Sequence, residues 1–509
     1  MTNSSTTLYL HPEYLYNKPL WQKAKDLYDG RHDVLTNDVY LPRHNIERIT
    51  DPKYKEQSAE LRLSRQQRTK YVNFTEILTS IWMSIFFKDK PTLNEAAIKL
   101  LDTDAENIDG QGNSIHAFVK NFIVHNWVNY GKAIVLADAP SGDFVSLGAQ
   151  RAAGVRPYLK SIHPLNMPDW AYNNIKISEL KFARHEYAMI EPRQSAASPI
   201  VQMTYSDEYL RDGSKVIINR YKRAISEPGL TQEKEKNPTK LDTLSSQEGW
   251  EVGDPLETEF DRIPISIIED EPWLTGANEE SLRFHNHRSS YDNILFNGAF
   301  KRVILTGVDP TDAAAVAQAT EASISFLKNA DASLLQIEPT DTTSYEKALA
   351  ESLALIYKIG LNQVRSLPTD SGVAQSAETI SSEKENVVDL VVSSMEEIET
   401  LLKSSFDNYA HIKSVDSGDA AYIFNKKINK RDIQRFLNIY GAFGNLIAKV
   451  PELSKQSLIE AVKEMGFDAE SEKVALDAIK SAQFGTPSET KEADDIINEV
   501  LNAKQQPGA

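Results

Sequence analysis

The densest run of possible oxygen ligands in the chain is DTDAENIDG, from Asp102 to Gly110. A calcium loop of the EF-hand type needs glycine at its sixth position and a bidentate glutamate at its twelfth. A loop that begins at Asp102 has Asn107 and Asn113 at these positions. The spacing therefore argues against calcium and favours a polar turn at Asp109-Gly110 in front of a helix cap.

Histidine, cysteine and the common catalytic motifs indicate no metal or catalytic chemistry. His285 and His287 are two positions apart, so on a helix they would point to different faces. A helical zinc pair needs the spacing of H-E-x-x-H, and we predict that the histidines are surface or capping residues. The chain has no cysteine, which excludes disulfides and thiol catalysis. Because Walker loops, dinucleotide fingerprints and nucleophile elbows are also absent, we predict no metal, no cofactor and no enzymatic activity.

Three arginines, Arg62, Arg65 and Arg68, recur at every third position of one predicted helix. This spacing is typical of a solvated face or of a contact between subunits. A DNA-reading surface is the weaker interpretation, because a protein that grips phosphates should be basic. The formal net charge of −17 argues against a DNA-binding regulator and is compatible with a protein that DNA passes without binding.

The elements that would position such residues belong to a large globular chain. Its 509 residues predict two to four domains, because single cores stop growing near about 250–300 residues. Hydrophobic residues make up 41% of the chain, which suffices for a sizeable core. The N-terminus lacks a basic start followed by an apolar run, so we predict no signal peptide. The longest apolar stretch, Ile77 to Phe87, is too short to span a bilayer.

The first half of the chain is predicted to be helical and then β-rich. Helices are expected over 14–30, over 58–87, and in a segment that Asn113 or Ser114 caps and Gly131 ends. Strands are expected at 133–137, 157–162, 180–190, 201–210, 216–223 and 263–268. Arg211-Asp212-Gly213-Ser214 has the pattern of a hairpin turn. The polar stretch 226–248 is predicted to be a loop.

Helices return after Pro272. A helix over 279–300 would have Leu282, Tyr291, Ile294 and Leu295 as anchors, and one over 376–409 would have Val388, Val391, Met395, Ile398 and Leu402. Between them we predict helices at 310–322 and 344–364 and short strands at 302–305, 324–327 and 334–337. Amphipathic helices are expected at 429–449, 454–465 and 470–483.

Several phrases in this order resemble one protein family. They are DLYDG with VYLP, IDGQGNSIHAF with NYGKAIVLADAP, HPLNMPDW after a strand, DRIPISII before a helix, and SGVAQSAE ahead of the long helix. With the order of elements, they make the sequence similar to portal proteins of tailed bacteriophages, in the long-tailed-phage branch related to the domain-of-unknown-function portals. The resemblance covers residues 20–410 and is weaker over 411–509.

The resemblance implies an α+β portal fold. Residues 1–275 would form a mixed α/β wing, and 276–300 and 342–364 would form a stem of two antiparallel helices. Residues 301–341, inserted between the stem helices, would be an α/β clip, and 365–375 would be the channel loop. Residues 376–411 would be the long wing helix, and 420–509 would be a helical crown with a polar tail.

The resemblance also implies a structural role in the virion. Members of the family form rings, usually of twelve copies, at one capsid vertex, and double-stranded DNA enters and leaves through the axial channel without sequence specificity. Implied partners are further copies of the chain, the terminase large subunit, head–tail connector or adaptor proteins, and the major capsid and scaffold proteins. Assembly would take place in the cytoplasm of the host bacterium, with no membrane involved.

Three groups of residues would carry this role. The channel loop would contribute Arg365, Ser366, Thr369, Asp370, Ser371, Gly372, Val373, Ala374 and Gln375. The clip, which contacts terminase or connector, would contribute Gly307, Asp309, Asp312, Lys328, Asn329 and Asp331. A ring of such acidic subunits needs cations at its interfaces, and the candidates are Arg62, Arg65, Arg68, Lys426 and Arg431.

Three alternatives stay open at this point. The protein could be another structural phage component, such as a minor capsid or adaptor protein, in which 276–364 would be an ordinary subdomain. It could be a hydrolase, which would need paired titratable groups that converge in a pocket. Residues 365–375 could be an ordinary linker between helices.

Overall fold

The computed structural model describes residues 5–48, 55–139, 156–173, 179–190, 202–213, 215–224, 246–258, 260–299, 302–306, 325–327, 334–335, 340–361 and 377–426. These residues form both helices and strands in substantial number, which confirms the predicted α+β class. The helices are α1 Pro12–Asp29, α2 Arg31–Thr36, α3 Lys55–Arg68, α4 Phe74–Phe86, α5 Glu95–Leu101, α6 Ile115–Phe118, α7 His125–Tyr130, α8 Thr275–Ala299, α9 Thr340–Gly360 and α10 Ala377–Lys413.

Most of the described strands lie in the middle of the chain, between residues 132 and 269. The strands are β1 Ser5–Tyr9, β2 Thr92–Leu93, β3 Lys132–Asp138, β4 Tyr158–Ile162, β5 Asp169–Tyr172, β6 Leu180–Ile190, β7 Gln202–Asp212, β8 Lys215–Ala224, β9 Ser246–Val252, β10 Leu256–Thr258, β11 Ile265–Glu269, β12 Arg302–Thr306, β13 Ser325–Leu327, β14 Leu334–Leu335 and β15 Tyr422–Ile423. The strands predicted between 157 and 268 are confirmed to within a few residues, whereas β1, β5, β9 and β10 were not predicted.

The chain divides into two compact units. The first unit comprises residues 1–25, 81–275 and 384–429, and the second comprises 26–80, 276–383 and 430–509. The boundary predicted near residue 275 is therefore incomplete, because residues 26–80 belong to the same unit as α8 and α9. Long-range packing of this kind leaves no trace in local periodicity.

The first unit contains a large antiparallel sheet in the order β1-β9-β8-β7-β6-β5, with β10 also paired to β8. The hairpin between β7 and β8 turns at Gly213, whose φ of +61° lies in the left-handed region that favours glycine. A smaller sheet has the order β11-β3-β4. One core cluster of buried side chains joins these elements to α1, where the indole of Trp21 donates a 2.9 Å hydrogen bond to the carbonyl of Tyr130.

The single helix predicted over 58–87 is wrong, because the chain forms α3 and α4 with a break between them. Asn73 caps α4: its Oδ1 accepts a hydrogen bond of 3.0 Å from the N–H of Glu76. Its Nδ2 donates to the carbonyl of Tyr28 at 2.7 Å and to the Glu76 carboxylate at 3.0 Å. Asparagine is a favoured N-cap, so the pair Asn73 and Glu76 is a signal for the start of a helix. The helical spacing continues on both sides of this pair and favoured one long helix instead.

The predicted helical crown does not begin with a helix. Residues 420–426 contain no helix, and β15 within them pairs with β2, with Tyr422 opposite Leu93. The helices predicted from residue 429 onwards lie outside the described residues.

Candidate functional site

Helices α8 and α9 lie antiparallel to each other in the second unit. A methyl group placed on Gly276, at the start of α8, would lie 2.7 Å from Cγ2 of Ile359, at the end of α9. Towards the other end of the pair, Tyr291 donates a 3.1 Å hydrogen bond to Oε1 of Glu346. The start of α8 thus contacts the end of α9, and the later part of α8 contacts the early part of α9. The two helices, of 25 and 21 residues, therefore form an antiparallel hairpin.

Small residues let these helices come close to their neighbours. A methyl group on Gly360 would lie 2.5 Å from Cδ1 of Leu78 in α4. Phe74, the first residue of α4, makes edge contacts with Phe284 of α8 at 5.2 Å and with Tyr357 of α9 at 6.4 Å between ring centroids. Such perpendicular aromatic pairs are favourable, so residues 74–78 hold both helices of the pair.

A small sheet is inserted between α8 and α9. Strand β12 pairs in parallel with β13, with Leu305 opposite Phe326, and antiparallel with β14, with Val303 opposite Leu334. The three predicted strands of this insertion are confirmed. The predicted helix over 310–322 lies outside the described residues, as do the predicted clip residues Gly307, Asp309, Asp312, Lys328, Asn329 and Asp331.

The segment between α9 and α10 contains the predicted channel loop, and residues 362–376 lie outside the described part of the chain. This segment includes Arg365, Ser366, Thr369, Asp370, Ser371, Gly372, Val373, Ala374 and Gln375. The predicted long helix follows it as α10, which has 37 residues. Four of its five predicted anchors are buried, and Val387 is buried in place of Val388.

The C-terminal end of α10 is fixed within the first unit by the carboxylate of Asp104. Oδ2 of Asp104 accepts hydrogen bonds from Tyr409 at 2.6 Å and from Lys413 at 3.1 Å. Oδ1 accepts a third from Arg156 at 2.8 Å. Burial alone would raise the pKa of Asp104, but hydrogen bonds from Tyr409, Arg156 and Lys413 outweigh it and hold the pKa below its ordinary value. One carboxylate thus joins three donors from distant parts of the sequence.

The prediction of a solvated face or a contact between subunits is wrong for two of the three arginines. The exposed fractions of Arg62 and Arg65 are 6% and 3%. Arg62 donates to Oδ1 of Asp38 at 3.1 Å, and Arg68 donates to Oδ1 of Asn293 at 3.2 Å. These contacts lie within one chain, so Arg62 and Arg65 are not available as cations at a subunit interface.

Arg65 is the centre of this buried cluster. Its Nε and Nη2 donate to the two oxygens of Glu47 at 2.7 and 2.8 Å, and Nη2 also donates to the carbonyl of Pro42 at 2.7 Å. Its Nη1 donates to the hydroxyl of Ser289 in α8 at 3.1 Å. Burial alone would raise the pKa of Glu47, but the hydrogen bonds from Arg65 and from the His44 N–H lower it overall. The guanidinium thereby attaches α8 to the segment that precedes α3.

A polar stripe on α8 faces the break between α3 and α4. Asn278, Ser281, His285 and Ser289 are all buried, whereas the predicted anchor Leu295 is 44% exposed. Asn278 accepts from Thr75 at 2.8 Å, and the hydroxyls of Ser289 and Thr69 are 2.9 Å apart. Ser281, His285 and Ser289 are spaced by four residues, so this stripe could have been recognised from the sequence as one helix face.

His285 is buried, contrary to the prediction of surface or capping histidines. Its ring stacks on Tyr71 with centroids 4.6 Å apart, and its Nε2 lies 3.1 Å from the carbonyl of Val72. The nitrogen must carry a proton to donate to this carbonyl. Burial lowers the pKa of His285 from its ordinary value of 6.5 to about 4.

The pKa of His285 predicts a loss of stability in mild acid. Below pH 6.5 the unfolded chain binds a proton at this histidine while the folded chain does not, until the pH reaches about 4. The free energy of opening of α8 should therefore fall by about 2 kcal/mol between pH 7.5 and pH 5. This free energy of opening is measured by hydrogen exchange of peptides from α8, after correction for the intrinsic pH dependence of amide exchange. The variant His285→Gln should be less stable at pH 7.5, but its stability should vary much less between pH 7.5 and pH 5. If its stability still fell by the same amount, His285 would not be the group responsible.

Of the two remaining interface candidates, Lys426 already has partners within its chain. Its Nζ lies 2.9 Å from Oε2 of Glu399 and 3.3 Å from Oε1 of Glu396. Hydrogen bonds to Glu399 and Glu396 raise the pKa of Lys426. Arg431 lies outside the described residues.

The described residues contain no cluster of three or more histidine, aspartate or glutamate side chains that could hold a metal ion. In the loop considered for calcium, Asp109 instead accepts hydrogen bonds from the N–H groups of Gln111 and Asn113 at 2.9 and 3.1 Å. Among the helices in the described ranges, none is long and apolar enough to cross a membrane.

Comparison with known proteins adds no family to this description. No protein-family model matches the chain, and no curated protein matches it. The function must therefore be argued from the chain itself.

Proposed function

We propose that this chain is a portal subunit of a tailed bacteriophage. In this proposal, about twelve copies form a ring at one vertex of the capsid, and double-stranded DNA is packaged and ejected through the axial channel. The assembly takes place in the bacterial cytoplasm, and the mature ring is part of the virion. The chain acts as a structural protein rather than an enzyme.

The observation that carries the proposal is the antiparallel pair α8 and α9 with a three-stranded sheet inserted between them. The resemblance implies this order for a stem and its clip, and α10 follows at the place implied for the long wing helix. An adaptor or minor capsid protein has no need of this arrangement. The contacts at Gly276 and Tyr291 support the antiparallel pairing of α8 and α9 independently of the sequence resemblance.

Charge also supports the proposal. A ring of subunits that each carry −17 repels the DNA backbone, so DNA can move through it with little retention, whereas a basic channel would bind it tightly. The proposed partners are the terminase large subunit during packaging and head–tail connector proteins afterwards, both at the clip. The major capsid and scaffold proteins would contact the remainder of the ring.

The proposal is tested on the purified full-length chain by native mass spectrometry and negative-stain electron microscopy. We expect a closed ring of about twelve copies with an axial hole, because head-to-tail interfaces that close produce rings. The ring should persist in His285→Gln at pH 7.5, which serves as a folded variant of the same assembly. A monomer at every protein concentration, a two-fold dimer, or a ring with no axial opening would each contradict the proposal.

A further inference from the structure

Lys132, in the first unit, is a buried lysine whose amine lies against one carboxyl group. Its side chain is 3% exposed, and its Nζ lies 3.1 Å from Oε1 of Glu269, whose side chain is 28% exposed. Lys132 of β3 and Glu269 of β11 are directly opposite each other in neighbouring antiparallel strands, so their side chains lie on the same face of the sheet. No other acceptor bonds to Nζ in the described part of the chain. The strand register therefore holds an amine and a carboxyl group in contact.

A second carboxyl group lies beside this pair. Glu13, in the first turn of α1, forms a side-chain hydrogen bond with Glu269. Two carboxyl groups can bond to each other only when one of them carries a proton. In agreement, burial and the neighbouring charge of Glu269 raise the pKa of Glu13. Glu13 thus supplies a proton at the carboxyl group that Lys132 contacts.

Several of the remaining neighbours of the pair are aromatic. The amine nitrogen lies 3.3 Å from the ring centroid of Trp170 and 5.9 Å from that of Trp21. The hydroxyl of Tyr172 donates a 3.1 Å hydrogen bond to Oε1 of Glu269, which draws electron density away from the carboxyl carbon. Burial lowers the pKa of Lys132, against the opposing effect of the carboxylates, so the neutral amine forms more readily than in an exposed lysine. The indole of Trp170 favours the charged amine, so the neutral fraction stays small.

We propose that Lys132 and Glu269 condense to an isopeptide bond, so that an amide joins β3 to β11 covalently, with Glu13 as the residue that transfers the proton. The structure shows the pair before this reaction. Because the amide is neutral, condensation removes a buried charge pair whose desolvation is costly. Groups held in contact react as if they were present at effective concentrations of about 10⁵–10⁸ M. This modification is separate from the proposed portal role and does not rest on it.

The atoms and charges of the step balance without any further reagent. The neutral amine of Lys132 attacks Cδ of Glu269, a C–N bond forms, and the bond from Cδ to Oε2 breaks. Release of Oε2 as water takes two protons, of which one comes from Glu13 and the other from the amine. The negative charge passes from Glu269 to Glu13, and Oε1, still bonded to Tyr172, becomes the amide carbonyl oxygen. Glu13 is exposed, so water can leave on its side of the pair.

The reaction is tested by the intact mass of the purified full-length chain, measured after denaturation in acid. We expect the mass to be lower than that of the sequence by one water, about 18 Da, in a fraction that grows during incubation at neutral pH. Digestion should then give one branched peptide that joins the segments around residues 132 and 269, and fragmentation of this peptide locates the bond. A mass that stays at the sequence value, or a loss of water without this branched peptide, would overturn the proposal.

Two variants separate the reacting groups from the residue that transfers the proton. Lys132→Arg keeps the positive charge but cannot form this amide, so its mass should stay at that of its own sequence. A loss of water from this variant would contradict the assignment of Lys132. Glu13→Gln keeps both reacting groups and should slow the loss of water by about tenfold or more. An unchanged rate would show that Glu13 takes no part in the reaction.

The matched control is a second lysine and glutamate pair within the same chain. Lys215 and Glu257 lie 3.5 Å apart, with side chains that are 62% and 71% exposed, on the neighbouring strands β8 and β10. No branched peptide should join them, because solvated charged groups do not condense. A branched peptide at this pair would mean that contact alone is sufficient, and the argument from burial would fail.

Discussion

Replacing Glu47 by leucine is expected to lower the free energy of unfolding of the second unit by about 3–5 kcal/mol. Glu47 is the only carboxylate bonded to Arg65 among the described residues, and both side chains are 3% exposed. The substitution leaves the guanidinium buried with only the Pro42 carbonyl and the Ser289 hydroxyl as acceptors. An unpaired buried charge is far more costly than the loss of one hydrogen bond.

The second unit contains no tryptophan, so fluorescence does not report on it. Hydrogen exchange of peptides from 37–48 and from α8 measures the effect, because both segments contact Arg65. The matched control is Arg43→Met, which removes an arginine from an ion pair of similar length, 2.6 Å to Asp38, in which both side chains are about half exposed. This control should cost less than about 1 kcal/mol, since solvent screens exposed pairs.

The double variant Arg65→Met with Glu47→Leu separates the charge from the packing. Removing both partners leaves no buried charge without a carboxylate, because Arg62, which also pairs with Glu47, keeps its ion pair with Asp38. Most of the loss in Glu47→Leu should therefore be recovered. The residual loss reflects the Ser289 hydroxyl and the Pro42 carbonyl, which lose the donors of Arg65, and the His44 N–H, which loses the Glu47 carboxylate. If Glu47→Leu costs no more than Arg43→Met, the cluster does not stabilise the fold and the burial argument fails.

The arginine cluster also shows where prediction from sequence ends. A row of arginines at every third position has the same spacing whether water or a buried carboxylate faces it. The decisive partner, Glu47, lies in a short turn eighteen positions away, and Ser289 lies in another helix altogether. Local periodicity identifies which side chains share a face, but it carries no information about what that face contacts.

Elements with strong local patterns were predictable for the same reason. Strands β6, β7 and β8 alternate between faces, β7 and β8 join at a turn that contains Gly213, and α10 has apolar residues at helical spacing. By contrast, β1 pairs with β9 more than two hundred residues later, with Thr6 opposite Trp250. Neither strand has a pattern strong enough to indicate the pairing.

Replacing Gly131 by alanine is expected to destabilise the first unit by about 4 kcal/mol. Gly131 ends α7 with a φ of +61°, and an added methyl group would lie 2.2 Å from the carbonyl oxygen of Asp270. That oxygen belongs to the backbone and cannot rotate away. The Asp270 N–H also donates to the carbonyl of Gly131 at 2.6 Å, so any movement that relieves the clash breaks this hydrogen bond. Urea unfolding followed by tryptophan fluorescence measures the loss.

Gly213→Ala isolates the part of this loss that comes from backbone conformation alone. Gly213 has the same φ of +61°, but a methyl group there would meet no atom within 4 Å. Its cost should be only the strain of a left-handed alanine, about 1–2 kcal/mol. The difference between the two variants therefore measures the clash with residues 270–272. Equal losses would mean that residues 270–272 can shift without cost, and the close approach to Gly131 would then not stabilise the first unit.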